Sequence, residues 1–121
     1  MAEFQRRVPT WVREADNDPI DFELVAQVDG TDVDFKIIEV RLHLSAAGGE
    51  GNLTITLESN DDPVHNINFV TQDMTLLQDF VWRPTPRALF QRGDTVKIEW
   101  ANANDRVYGL EVIWAHVRDG G

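Results

Sequence analysis

The chain alternates apolar and polar residues with a period of two along most of its length. From Ile20 to Val28 the apolar set is Ile20, Phe22, Leu24, Ala26 and Val28, with Asp21, Glu23 and Gln27 between them. Successive side chains of a strand point to opposite faces, so this spacing makes a half-buried β-strand. Val33–Ser45 repeats the pattern, with Ile38, Val40, Leu42 and Leu44 on one side and Glu39, Arg41 and His43 on the other. Asn52–Glu58, Thr95–Trp100 and Val107–Val117 follow suit, and shorter pieces are read at His65–Thr71, Leu76–Trp82 and Ala88–Phe90. No segment keeps a helical period beyond a turn or two. Turn signals such as Asp29-Gly30 and Ser59-Asn60-Asp61-Asp62-Pro63 separate the strands. The spacing suits a sandwich or barrel, and the expectation is an all-β, antiparallel two-sheet β-sandwich of about seven or eight strands.

One complete apolar row per strand names the core: Ile38, Val40, Leu42, Ile55, Leu57, Ile98, Trp100 and Val112. Trp114 is read inward as well, and so are Ile67 and Phe69. The last strand differs, because Ile113, Ala115 and Val117 make its second face apolar too. That face, led by Ile113 and Val117, is expected to lie under another segment or another subunit.

The 121 residues fit one domain, here residues 20–121, preceded by an arm over residues 1–19 that shows no alternation. The chain lacks cysteine, which removes disulfides and thiolate metal sites. Its net charge of −10 argues against nucleic acid as the main ligand, since phosphate binding needs a basic surface. The charge is uneven. Residues 1–13 hold Arg6, Arg7 and Arg13 against Glu3, a net of +2 that leaves −12 for the rest. Arginine and aromatic residues are enriched at interface hot spots. Phe4, Arg6, Arg7, Val8, Trp11 and Arg13 are therefore read as an attachment surface, with Ile113 and Val117 as a second. No apolar run reaches the length of a membrane helix, and none near the N-terminus suits a signal peptide.

No constellation of catalytic residues stands out. His43, His65 and His116 fall on three separate strands without a ligand partner on their own strand. There is no nucleophile elbow, phosphate loop or zinc motif. The acidic cluster Asp16, Asp18 and Asp21 reads as turn chemistry in preference to a calcium loop, because it lacks the glycine and distal glutamate of an EF-hand. Arg92-Gly93-Asp94 matches the integrin-binding tripeptide, but it stands where a turn must precede a strand. The expectation is a non-enzymatic protein without cofactor or metal.

The order Phe35-Lys36-Ile37-Ile38-Glu39-Val40-Arg41-Leu42-His43-Leu44, then Asn52–Leu57, then Arg92–Ile98, then Tyr108-Gly109-Leu110-Glu111-Val112 resembles small jelly-roll proteins of tailed bacteriophage particles. Head decoration, or cement, proteins are among them. The likeness covers roughly residues 33–117 and rests on strand pattern alone. It implies a virion structural protein on the phage head surface, a homo-oligomer with a trimer favoured, and the major capsid protein or another virion protein as partner. The alternative from a different class is a carbohydrate- or receptor-binding β-sandwich module. A sugar binder of that kind should show two or more coplanar aromatics on one exposed face.

Overall fold

The computed structural model describes residues 9–84 and 89–117. Within them are eleven strands, more than the seven or eight expected: β1 (Thr10–Asp16), β2 (Ile20–Leu24), β3 (Gln27–Val28), β4 (Thr31–Asp32), β5 (Phe35–Leu44), β6 (Asn52–Glu58), β7 (Ile67–Asp73), β8 (Asp79–Trp82), β9 (Leu89–Phe90), β10 (Thr95–Trp100) and β11 (Tyr108–His116). The surplus is short. β3 and β4 form a separate small hairpin, closed by Asp29 and Gly30 at φ 53° and 78°. Positive φ at both central residues is what a tight hairpin turn requires. β9 extends the edge that β8 begins.

The other eight strands pair in nested fashion, all antiparallel: β6 with β7, β5 with β8, β2 with β10, and β1 with β11. The chain is thus one long ribbon with its tip at β6–β7, folded over so that β11 also meets β5 and β10 also meets β6. The result is two sheets in the orders β1-β11-β5-β8 and β2-β10-β6-β7. Two four-stranded sheets joined this way are a jelly roll. The sheets enclose Phe35, Val40, Leu53, Ile55, Ile98, Trp100 and Val112, all at most 2% exposed. Phe35 stacks on Phe90 at 5.0 Å between centroids and meets Trp114 edge-on at 6.3 Å.

Three expectations about inward residues need correction. Ile38 is 38% exposed. β11 pairs Ile113 with Glu39 but Trp114 with Ile37, so Ile38 is the extra residue of a β-bulge. A bulge reverses the alternation: Phe35 and Ile37 face inward before it, and Val40, Leu42 and Leu44 after it. Ile67, the first residue of β7, is 49% exposed, and Leu57 only packs against the margin of the core.

The segment before residue 20 is not strandless, as the lack of alternation implied. Thr10–Asp16 forms β1 and pairs in unbroken register with β11, from Thr10 opposite Trp114 to Asp16 opposite Tyr108. Its pattern escapes notice because an edge strand buries little. Val12 alone is half-buried and its neighbours are exposed.

The Arg92-Gly93-Asp94 tripeptide is structural. Asp94 is 6% exposed and accepts the backbone N–H groups of Asn60 at 3.0 Å and Gln91 at 2.9 Å. Gly93 has φ 85°, and a Cβ there would come within 2.6 Å of the Asn60 side chain. The Asp16–Asp18 corner is likewise held by turn bonds, with Asp16 Oδ1 accepting the Asn17 N–H at 2.7 Å.

Candidate functional site

The outer face of the β1-β11-β5-β8 sheet is organised in rows that cross the strands. Register places Trp11 beside Ile113 and Ile113 beside Glu39. The next row runs Arg13, Glu111, Arg41, Val81, and the one after it Ala15, Gly109, His43, Asp79. Directly opposed residues of antiparallel strands share a face, so each row is a line of touching side chains.

The first two rows are tied by charge. Glu111 accepts Arg13 Nε at 2.5 Å on one oxygen and Arg41 Nη1 at 2.9 Å on the other. Arg41 also bonds Glu39, whose second oxygen takes Arg83 Nε at 2.6 Å. An alternating chain Arg13–Glu111–Arg41–Glu39–Arg83 therefore spans the sheet. Trp11, 48% exposed, lies 5.7 Å from the Arg13 guanidinium and 5.3 Å from that of Arg41. Such contacts hold cations over the ring face.

The third row is low. Gly109 has no side chain, and a Cβ built there meets nothing within 4 Å. With Ala15 beside it, the sheet surface sinks into a trough of about 710 Å³. Arg13, Arg41 and Glu111 make one wall. His43 and Asp79, joined by Nδ1···Oδ1 at 2.5 Å, close one end of the floor. Both arginines of this wall are ion-paired, since they share Glu111 and Arg41 also bonds Glu39. The floor, from Ala15, Gly109 and Val81, is apolar.

The opposite sheet presents another surface. Its outward residues Asp21, Glu23, Glu58 and Glu99 are relieved by Lys97, which reaches Glu58 at 3.3 Å and Glu23 at 3.7 Å. This surface is net negative and lies on the side of the sandwich away from the trough.

Of the residues expected to form an interface, Trp11, Arg13 and Ile113 come together on the trough-bearing face. Ile113 is only 4% exposed within the single chain. Val117 lies past the paired end of β11, its N–H bonded to the Asp34 carbonyl at 2.9 Å. Phe4, Arg6, Arg7 and Val8 lie outside the described residues. The trough itself was missed, though one signal pointed to it: a glycine inside an otherwise apolar strand marks an open or closely approached surface.

Glu39 carries the pH dependence of this face. Hydrogen bonds from Arg41 and then Arg83 hold its carboxyl below the usual carboxylate range. Asp34, bonded by the backbone and side chain of Arg92, is held low as well. A folded-state value below the unfolded one means that the unfolded chain binds protons first. The stabilisation is complete above the ordinary carboxylate range and is lost as pH falls through the lowered values. Melting temperature should therefore hold steady above about pH 5 and fall on acidification. Glu39→Gln should flatten that fall. An acid limb of unchanged steepness in the variant would place the lost stability elsewhere.

No protein-family model matches the chain, and no curated protein matches it.

Proposed function

We propose that the protein is a non-enzymatic structural component of a tailed-phage particle, of the head-decoration type. It docks on the head surface through the outer face of the β1-β11-β5-β8 sheet. The observation that carries this reading is the trough over Gly109 on an otherwise ion-paired face. It offers apolar area to a partner while the arginines of its wall are already ion-paired, so docking there buries no unpaired guanidinium. The jelly-roll strand order is in keeping with the resemblance across residues 33–117. Fold alone does not determine function, so the weight falls on the face.

Two measurements test it. Antibodies raised against the purified chain should label the heads of particles released by cells that carry its gene; label confined to soluble protein would sink the reading. Gly109→Phe should fill the trough without disturbing the sheet, because open space lies above Gly109. Its circular dichroism should match that of the parent while its binding to heads falls at least about tenfold, a loss of roughly 1.4 kcal/mol. Undiminished binding would remove the trough from the docking surface.

The same trough favours a second reading, a carbohydrate- or receptor-binding module. A hydroxylated ring could lie on the Ala15–Gly109 floor between donors from Arg13 and acceptors from Asp79. Among the described residues Trp11 is the one exposed aromatic of this face, short of the coplanar pair that sugar stacking calls for. Titration with neutral hexoses under tryptophan fluorescence decides it: a saturable change supports the module, and a flat response removes it.

A further inference from the structure

We propose that the free edge of β1 is a seam for a second copy of this chain, two β1 strands pairing antiparallel about a two-fold axis at Val12. The seam goes beyond the docking reading and does not depend on it.

A sheet edge exposes unpaired N–H and C=O groups, and natural proteins usually blunt such edges with bulges, prolines or like charges. Three of the four edges here are blunted. The pairing of β7 with β6 is broken by a register shift between Ile55 and Thr56. The β8–β9 edge consists of two short pieces, with Arg83-Pro84 directly after the first. β2 is short, follows Pro19, and displays Asp21 and Glu23, which a two-fold copy would set against each other. β1 follows Pro9 as β2 follows Pro19, but it is seven residues long against five, and its Val12-centred register opposes no like charges. It runs from Thr10 to Asp16 without a register shift and pairs only with β11 among the described residues. Every residue in it is exposed except half-buried Val12.

Its side chains select one register. Opposed residues must share a face, so a two-fold axis can pass only through a residue of the strand. Centred on Arg13 it opposes two guanidiniums and sets Val12 against Glu14. Centred on Glu14 it opposes two carboxylates. Centred on Trp11 it overlaps only Thr10–Val12. Centred on Val12 it overlaps Thr10–Glu14, sets Val12 against Val12 on the inner face, and sets Trp11 against the partner's Arg13 twice on the outer face. Trp11 is already within cation–π distance of its own Arg13, so the pairing repeats across the axis an attraction the strand makes within itself. The two sheets become one continuous sheet, and both troughs open on the same side.

Electrostatics permit the approach. The −10 charge of each copy repels the other in general, but the outward carboxylates Asp21, Glu23, Glu58 and Glu99, with Lys97 as their counterion, stand on the opposite sheet, away from the seam. The β1 face balances Arg13, Arg41 and Arg83 against Glu39, Glu111 and Asp79.

The absence of cysteine supplies a direct test. A single cysteine can cross-link only between copies. Val12→Cys, close in size to the parent residue, would face its own mate at the axis, within reach of a disulfide. Ala15→Cys on the same strand would lie far from its mate. Under mild oxidation Val12→Cys should give a covalent dimer and Ala15→Cys should remain largely uncoupled. Light scattering on the parent chain at about 100 µM should report twice 13.8 kDa, and Trp11→Lys, which sets like charges across the axis, should weaken association about tenfold. A monomer at that concentration, a trimer, equal cross-linking of the two cysteine variants, or an undiminished Trp11→Lys dimer would each overturn the seam.

Discussion

Asn102→Ala should cost the fold about 3 kcal/mol and lower the melting temperature by about 10 °C. Asn102 is 1% exposed in the loop between β10 and β11. Its side-chain amide donates to the carbonyls of Asn17 at 3.2 Å, Asp18 at 3.1 Å and Arg106 at 2.9 Å, and its oxygen accepts the Arg106 N–H at 2.8 Å. One side chain thus ties the β1–β2 corner to the β10–β11 loop and satisfies backbone groups at both. Truncation strips those groups of partners, and each unsatisfied buried group costs about 1–3 kcal/mol unless water enters. Asn102 also has φ 49°, where alanine is strained by about 1 kcal/mol and glycine is not. Asn102→Gly should therefore recover part of the loss, and the difference isolates the backbone contribution. Asn102→Asp turns a carboxylate toward carbonyl oxygens, so it should be worst at neutral pH and partly recover in acid. Thermal melts of the three variants would test the staple. A loss below about 1 kcal/mol in Asn102→Ala would mean that the corner does not depend on it.

Trp100→Ala should destabilise by about 4 kcal/mol, within the range for removing a large aromatic from a core. The ring is 2% exposed, and its Nε1 donates to the Glu50 carbonyl at 3.2 Å. It also shapes the β5–β6 loop. A Cβ on Gly48 would lie 2.9 Å from the ring and 2.5 Å from the Met74 carbonyl, and one on Gly51 3.3 Å from Nε1. The loop has no side chains at these positions because the indole and the β7–β8 loop occupy the space. Trp100→Phe keeps much of the volume and loses the hydrogen bond, so it should cost about 1–2 kcal/mol. Urea denaturation gives both values. Hydrogen exchange should also quicken in Trp100→Ala at the amides of Gly48 and Gly49, which bond to Leu77 at 3.0 Å and Thr75 at 3.1 Å. A small loss with unchanged exchange would show that the loop packs independently of the indole.

The sandwich was legible because burial on one face forces alternation, and alternation survives in the sequence. Thr95–Trp100 and Asn52–Glu58 were read with the bounds the structure gives them. Ile38 was misread because a bulge changes parity without changing composition. β1 was missed because an edge strand with one half-buried residue leaves almost no apolar row. The nesting of strands could not be read from residue spacing, since β1 and β11 meet across nearly the whole chain. The candidate face was legible in pieces. The outward row Glu39, Arg41, His43 was plain, but its counterions Asp79, Arg83 and Glu111 come from β8, the residue after it, and β11. The trough exists only where Gly109 and Ala15 fall in one row.

The nested pairing also fixes the order in which the chain can complete itself during synthesis. Of the eleven strands among the described residues β1 is translated first, and β11, the strand it pairs with, last. At about 5–20 residues per second, some five to twenty seconds separate them. Through that interval Trp11 and Val12 belong to an unpaired ribbon, while β6 and β7 at the tip of the long hairpin can already join. Folding should run from the tip outward and finish at the ends, with closure of the β1 sheet as its last and slowest event.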